Sequence, residues 1–221
     1  MDNVPPAAHS GIHVRPTLRK QCWGFVIGSA CFAIGSAPVL AGLLGTSRAN
    51  AFFFVGAWFF TAAGLIQLLR SGPMTTETGG EPLLRAEWLS AAVQSVGTVL
   101  FNVSTAAALQ AYDVTEERHF VWRPDAAGSV AFLISGALAL RVYQEAARTW
   151  APRGRDGWAV WVNLVGCIAF GISAAGAFIT ASGAEASDFW ANAGTFVGAL
   201  CFLISALLSL PRRDRSATAA G

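Results

Sequence analysis

The sequence predicts an all-α membrane protein, with six transmembrane helices arranged as three repeated helical hairpins. Three observations carry this reading. First, the 221-residue chain is 54% apolar and only 13% charged, with a mean hydropathy of +0.49; soluble domains carry about 25% charged residues. Second, the apolar residues gather into six stretches near the ~20 residues that cross a bilayer, which leaves no room for a separate soluble domain. Third, each stretch holds the same phrase: a glycine, three residues, a phenylalanine, two residues, a small residue. The copies are Gly28-Phe32-Gly35, Gly56-Phe60-Ala63, Gly97-Phe101-Ser104, Gly128-Phe132-Ser135, Gly166-Phe170-Ser173 and Gly198-Phe202-Ser205. Positions i, i+4 and i+7 share one side of an α-helix, so each copy draws a stripe down one face.

Taken in order, residues 1–21 contain Pro5, Pro6 and Pro16, end near Arg19-Lys20, and read as a disordered cytoplasmic tail. Hairpin 1 occupies 22–70. Its first span runs from about Cys22 to Leu44, a turn follows at Gly45-Thr46-Ser47, and the second span covers about Ala51 to Leu69. The first apolar run exceeds the roughly 7–15 residues of a signal-peptide core, so it reads as a retained span. Residues 71–86 read as a flexible cytoplasmic linker. Hairpin 2, 87–143, has a third span from about Trp88 to Ala111, a charged solvated loop over 112–119, and a fourth span opening at Pro124-Asp125. Proline suits the first helical turn, and an acid there faces the positive end of the helix dipole. Residues 144–157 form a second cytoplasmic linker, 158–210 form hairpin 3, and 211–221 are a cytoplasmic tail.

The distribution of positive charge gives the orientation. Arg15, Arg19, Lys20, Arg70, Arg85, Arg141, Arg148, Arg153, Arg155, Arg212, Arg213 and Arg215 fall on one side; Arg48, Arg118 and Arg123 fall on the other. Positive residues concentrate on the cytoplasmic side, so both termini are expected there, in a multi-pass protein of the cell membrane. Trp23, Trp88, Trp158 and Trp161 sit at the expected cytoplasmic ends, with Trp122 and Trp190 at the outer ends, as interfacial aromatics do.

The spacing between copies is regular. Gly28, Gly97 and Gly166 are evenly spaced along the chain, and Gly56, Gly128 and Gly198 nearly so. A hairpin used three times explains this. Lipid supplies no hydrophobic drive between helices, so small residues that let backbones approach become the contact surface. Gly28, Phe32, Gly35, Gly56, Phe60, Gly97, Phe101, Ser104, Gly128, Phe132, Gly166, Phe170, Ser173, Gly198, Phe202 and Ser205 are accordingly expected at helix–helix contacts. The competing expectation is a permeation path lined by small residues.

The stretches Ile27-Gly28-Ser29-Ala30-Cys31-Phe32-Ala33-Ile34-Gly35-Ser36, Ala49-Asn50-Ala51-Phe52-Phe53-Phe54-Val55-Gly56 and Gly194-Thr195-Phe196-Val197-Gly198-Ala199 resemble the YrhK-like membrane proteins. Hairpin 2 departs from the pattern, with Val121-Trp122-Arg123-Pro124-Asp125 at the start of its second span. The resemblance implies a small multi-span membrane protein and carries no activity or functional residue with it.

No ionisable residue lies deep in an expected span, which disfavours proton-coupled transport. Cys22, Cys31, Cys167 and Cys201 lack metal-ligand spacing and read as small hydrophobes. No Ser/His/Asp set, HExxH or P-loop is present, so neither an enzyme nor a cofactor is expected, and no clustered basic face invites nucleic acid. Among the amides, Asn102 lies near the middle of the third span. It is expected to bond across helices, and Asn102 and Gln94 are the candidates for a pore or ligand contact. Asn50 and Asn192 read as helix N-caps. The function expected is that of a structural, stress-related or partner-binding membrane component. The alternative is a channel or facilitator for a small neutral solute, with Asn102 facing a central cavity. The lipid bilayer is the expected partner, with a homo-oligomer or a membrane protein as open additions.

Overall fold

The computed structural model describes residues 16–78, 81–110 and 112–212. Most of the N-terminal tail, including Arg15, the C-terminal Arg213 and Arg215, and Ala111 at the expected end of the third span lie outside the described residues.

Helix α1 (Leu18–Ser36) starts where the Thr17 hydroxyl accepts a hydrogen bond from the Lys20 amide at 3.3 Å. It stops at Ala37, which Pro38 forces into an extended conformation (φ −63°, ψ 125°). The first span expected to reach Leu44 is therefore two helices, α1 and the short α2 (Pro38–Leu44). Gly45, at φ +74°, turns the chain into α3 (Thr46–Arg70). That φ lies in the region where glycine alone is unstrained.

The expected flexible linker at 71–86 contains an antiparallel pair, β1 (Thr75–Thr78) and β2 (Glu81–Leu84), with Thr78 opposite Glu81. Arg85 ties its base down by donating to the carbonyls of Ser71 (2.9 Å) and Pro73 (3.1 Å). Helix α4 (Ala86–Ala107) follows.

The expected solvated loop over 112–119 is largely helical. Asp113 accepts from the amides of Thr115 and Glu116, while the Glu116 carboxylate accepts from the Asp113 amide, a reciprocal capping box. This starts α5 (Val114–Glu116), which continues through a π-helical turn (Glu117–Trp122) into α6 (Arg123–Ala147). Pro124 has no N–H to donate, and the wide turn just before it accommodates that loss. Arg148, at φ 50°, ends α6. Helices α7 (Gly154–Gly176) and α8 (Asp188–Leu208) complete the chain; Ser187 caps α8 by accepting from the Trp190 amide at 3.4 Å. Helices α1, α4 and α7 begin one to four residues before the expected starts at 22, 87 and 158, while α3 ends at Arg70, α6 at Ala147 and α8 at Leu208.

Among the described residues four helices are long and apolar enough to cross a membrane: Thr46–Arg70, Val114–Ala147, Gly154–Gly176 and Asp188–Leu208. Two further long helices pack with them. Arg19, Lys20 and Gln21 dilute the apolar content of α1, and the amides and hydroxyls of α4, Gln94 and Asn102 among them, dilute that of α4.

The six long helices close a ring. The tightest neighbours are α1 with α3, α4 with α6, and α7 with α8; α3–α4, α6–α7 and α8–α1 complete the circuit. The residue distribution is the reverse of a water-soluble bundle. Gly28, Ser29, Ala57, Thr98, Ser129 and Ala199 are buried, while Val55, Trp58, Leu65, Val96, Val99, Val130, Ile134 and Val197 face outward. Small residues inside and branched apolar residues outside suit a lipid surround.

Candidate functional site

Each tight helix pair meets through a crossed Gly–Phe contact. A Cβ placed on Gly28 would lie 2.6 Å from the Phe60 ring, and one on Gly56 would lie 2.7 Å from Phe32. Gly97 faces Phe132 and Gly128 faces Phe101 in the same way, each at 2.7 Å; Gly166 faces Phe202 and Gly198 faces Phe170, again at 2.7 Å. Each helix offers a gap for its partner's ring and sends its own ring into the partner's gap.

The small residue three positions beyond five of the six phenylalanines also meets the partner backbone. Ser104 Oγ donates to the Val121 carbonyl (2.8 Å) and Ser173 Oγ to the Ala191 carbonyl (2.7 Å), while a Cβ on Gly35 would lie 3.1 Å from the Ala49 carbonyl. Toward the other end, Ser135 Oγ donates to the Ser90 carbonyl (2.9 Å), Ser90 Oγ donates to the Ser135 carbonyl (3.0 Å), and Ser205 Oγ donates to the Ala159 carbonyl (2.8 Å).

The six phenylalanines converge at the centre of the ring. Within pairs, centroids lie 5.1 Å apart for Phe32–Phe60, 4.9 Å for Phe101–Phe132 and 5.1 Å for Phe170–Phe202. Between pairs, Phe32–Phe101 (6.0 Å), Phe101–Phe170 (5.7 Å), Phe60–Phe202 (6.1 Å) and Phe132–Phe202 (5.6 Å) join them, mostly edge to face. That geometry suits aromatic quadrupoles. All six rings are at most 3% exposed, so together they plug the ring.

Two cavities of about 160 Å³ each abut this plug, and side chains from all six long helices line both. The first opens where α1, α4 and α7 begin, and we call it the amide cup. Phe202 forms part of its floor, and Gln67, Gln94, Asn163, Ser90 and Ser135 line its wall; among the described residues no Asp, Glu, Lys or Arg lines it. The second, the acidic cup, opens at the other end. Phe32 and Phe101 bound it below, with Asn50, Thr105, Thr195, Glu117, Asp125 and Glu185 around it. Glu185 lies in the loop before α8. Its carboxyl is pushed up from the ordinary range by burial first, then by the negative charges of Asp188 and Glu117.

The polar residues singled out in the sequence part company here. Asn102 lines neither cup. Its amide donates across to α3, to Thr61 Oγ1 and to the Ala57 carbonyl (3.3 Å). Gln94 lines the amide cup and Ser104 the acidic cup, on opposite sides of the plug. Asn50 does not cap α3, which begins at Thr46. It donates to the Ala108 carbonyl at the end of α4 (2.7 Å), satisfying a terminal carbonyl there. Asn192 donates to the Asp188 carbonyl within α8 (2.9 Å), whose cap is Ser187.

Sequence reasoning missed the two cups. The spacing contains a signal for both. Gln94 and Asn163 are separated by the same interval as Gly97 and Gly166, and Asn50, Trp122 and Asn192 repeat the spacing of Gly56, Gly128 and Gly198. Trp122 uses its indole N–H on the Ala174 carbonyl (2.8 Å), which joins α6 to α7 beside the acidic cup. Comparison with protein-family models, curated proteins and solved structures finds no match for this chain.

Proposed function

We propose that the chain is an integral membrane protein of six crossings, built from one helical hairpin used three times, with both termini on the cytoplasmic side. Its role is that of a structural, stress-related or partner-binding membrane component, not that of an open conduit. The observation that carries this reading is the plug. Six mutually packed phenyl rings lie between the two cups, and the glycines of the stripes are spent on helix contacts. Helices α1 and α4 enter the count because each sits in the ring between neighbours of membrane-crossing length: α1 between α3 and α8, α4 between α3 and α6. Most of the basic residues of the chain collect at one end of such a bundle, which supports the cytoplasmic orientation of that end. Membership of the YrhK-like proteins belongs to the same proposal and rests on the three short stretches quoted above.

Reconstituted protein tests it. Stopped-flow permeability of proteoliposomes to water, urea and glycerol is expected to match that of protein-free liposomes. Protein-dependent flux through the wild type would support a second reading, a gated facilitator for a small neutral solute. That reading has one observation in its favour: both cups end on the same plug, so a displacement of the rings would join them.

A further inference from the structure

We propose that the amide cup is a binding site for a small uncharged polar molecule, held by the carboxamides of Gln94 and Asn163 against a phenyl wall. The inference rests on the sealed bundle described above, in which this cup is blind and binding does not imply passage.

Gln94 is the first ground. It is only 5% exposed and lines the cup, yet its carboxamide has no hydrogen-bond partner among the described residues. A carboxamide can donate two hydrogen bonds and accept two, and this one turns that capacity toward the cup. Packing does not require it. Phe25, one repeat interval earlier in the chain, also lines the cup and packs its ring 6.0 Å from that of Phe60. An apolar side chain therefore serves at that station in one helix, whereas α4 and α7 place amides there.

Asn163 is the second ground. It stands one repeat interval after Gln94 and lines the same cup from α7, its one side-chain hydrogen bond among the described residues being a weak one to Cys167 Sγ at 3.8 Å within its own helix. Two amides from different helices thus face one space, and Gln67 lines it as well. Phe25 and Phe202 line the same space with apolar rings.

These walls define the ligand. With no Asp, Glu, Lys or Arg lining it among the described residues, the cup offers a charged molecule no opposite charge to offset its desolvation. Carboxamides and hydroxyls both donate and accept, so the ligand must do both. The cavity of about 160 Å³ is close to the ~150 Å³ that accommodates benzene in an engineered site. A polyol or small carboxamide of about half a dozen heavy atoms fits.

Saturation-transfer NMR on the full-length protein in detergent micelles tests the site, with glycerol, urea and acetamide as neutral probes and acetate and methylammonium as charged ones. At least one neutral probe is expected to give a saturable signal, and neither charged probe is. Gln94→Met, which keeps the volume, and Asn163→Leu are each expected to weaken that binding tenfold or more, with an unchanged melting temperature. Gln94→Asn is expected to retain most of it. Absence of saturation by every neutral probe, wild-type affinity in both variants, or equal binding of acetate would overturn the assignment. Should Asn163→Leu fail to fold, Gln94→Met decides alone. Because the readout is made in micelles, a null result removes the site and leaves the six-crossing reading standing.

Discussion

Replacing Gly97 by alanine adds one methyl at the closest point of the α4–α6 contact. The new Cβ would lie 2.7 Å from two carbons of the Phe132 ring and 3.1 Å from the Gly128 carbonyl oxygen. Neither neighbour can retreat. The carbonyl belongs to a helix backbone, and Phe132, fully buried, is stacked on Phe101 at 4.9 Å and bounded by Phe202 at 5.6 Å. Overpacking of this kind costs about 1–3 kcal/mol. Alanine recovers about 1 kcal/mol of helix propensity over glycine. With both obstacles fixed, the steric cost falls in the upper part of its range, which leaves a net loss of roughly 1–2 kcal/mol, or on the order of tenfold in the folded-to-unfolded ratio. Gly171 is the control. A Cβ there meets only the flexible end of Leu133, at 3.2 Å, so Gly171→Ala is expected to be neutral or stabilising. Reversible unfolding in mixed micelles, followed by helicity, compares the two variants. Phe132→Leu combined with Gly97→Ala is expected to lose less than the sum of the separate losses, since the smaller side chain vacates the space the methyl needs. Equal stability of Gly97→Ala and Gly171→Ala, or strict additivity in the double variant, would refute the crossed Gly–Phe contact as the source of pair stability.

Other expectations follow from the same geometry. Phe170→Ala removes a ring that contacts Phe32, Phe101, Phe132 and Phe202; a loss of about 3–5 kcal/mol is expected, together with proteoliposome water permeability above that of wild type as the cups join. Asn102→Leu is expected to cost about 0.6–2 kcal/mol by removing the α4–α3 bonds while leaving permeability unchanged, as measured by unfolding and stopped-flow in parallel. Burial and then Asp188 and Glu117 raise the Glu185 carboxyl above its ordinary value, so the fold favours its neutral form. Stability from this group is present below the ordinary value and lost as pH rises through the raised one. Glu185→Gln should therefore raise the melting temperature at about pH 8 and leave it unchanged at about pH 4, by a margin reduced by the exposure of the side chain.

The stripes were readable because about 3.6 residues per turn bring i, i+4 and i+7 to one face whatever lies opposite. Gly97 and Phe101 could be assigned to an inward side from spacing alone. That the six rings would meet one another was not readable, since a stripe names a face and not its neighbour. Gln94 and Asn102 show the same limit. Both are amides in one helix; one faces a cavity and the other bonds across to α3, and the difference depends on which partner carries Thr61. Some local signals were legible but were overshadowed by apolar content. Pro38 forbids a continuous helix to Leu44, Asp113 and Glu116 spell a capping box, and Gly79-Gly80 between Thr-rich and apolar residues is a hairpin signal. Charge density suggested a loop over 112–119, yet a capped start and the long apolar run after it carry the helix through.

Substituted-cysteine labelling in membranes tests the six-crossing ring most directly. In a background lacking the four native cysteines, an impermeant thiol reagent would be applied from either side to single cysteines at exposed connections. Thr76→Cys and Ala151→Cys are expected to react only from the cytoplasmic side, and Arg48→Cys, Glu116→Cys and Ser182→Cys only from outside. Labelling of Thr76→Cys from outside, or of Arg48→Cys and Thr76→Cys from the same side, would contradict the ring of six crossings on which the sealed bundle depends.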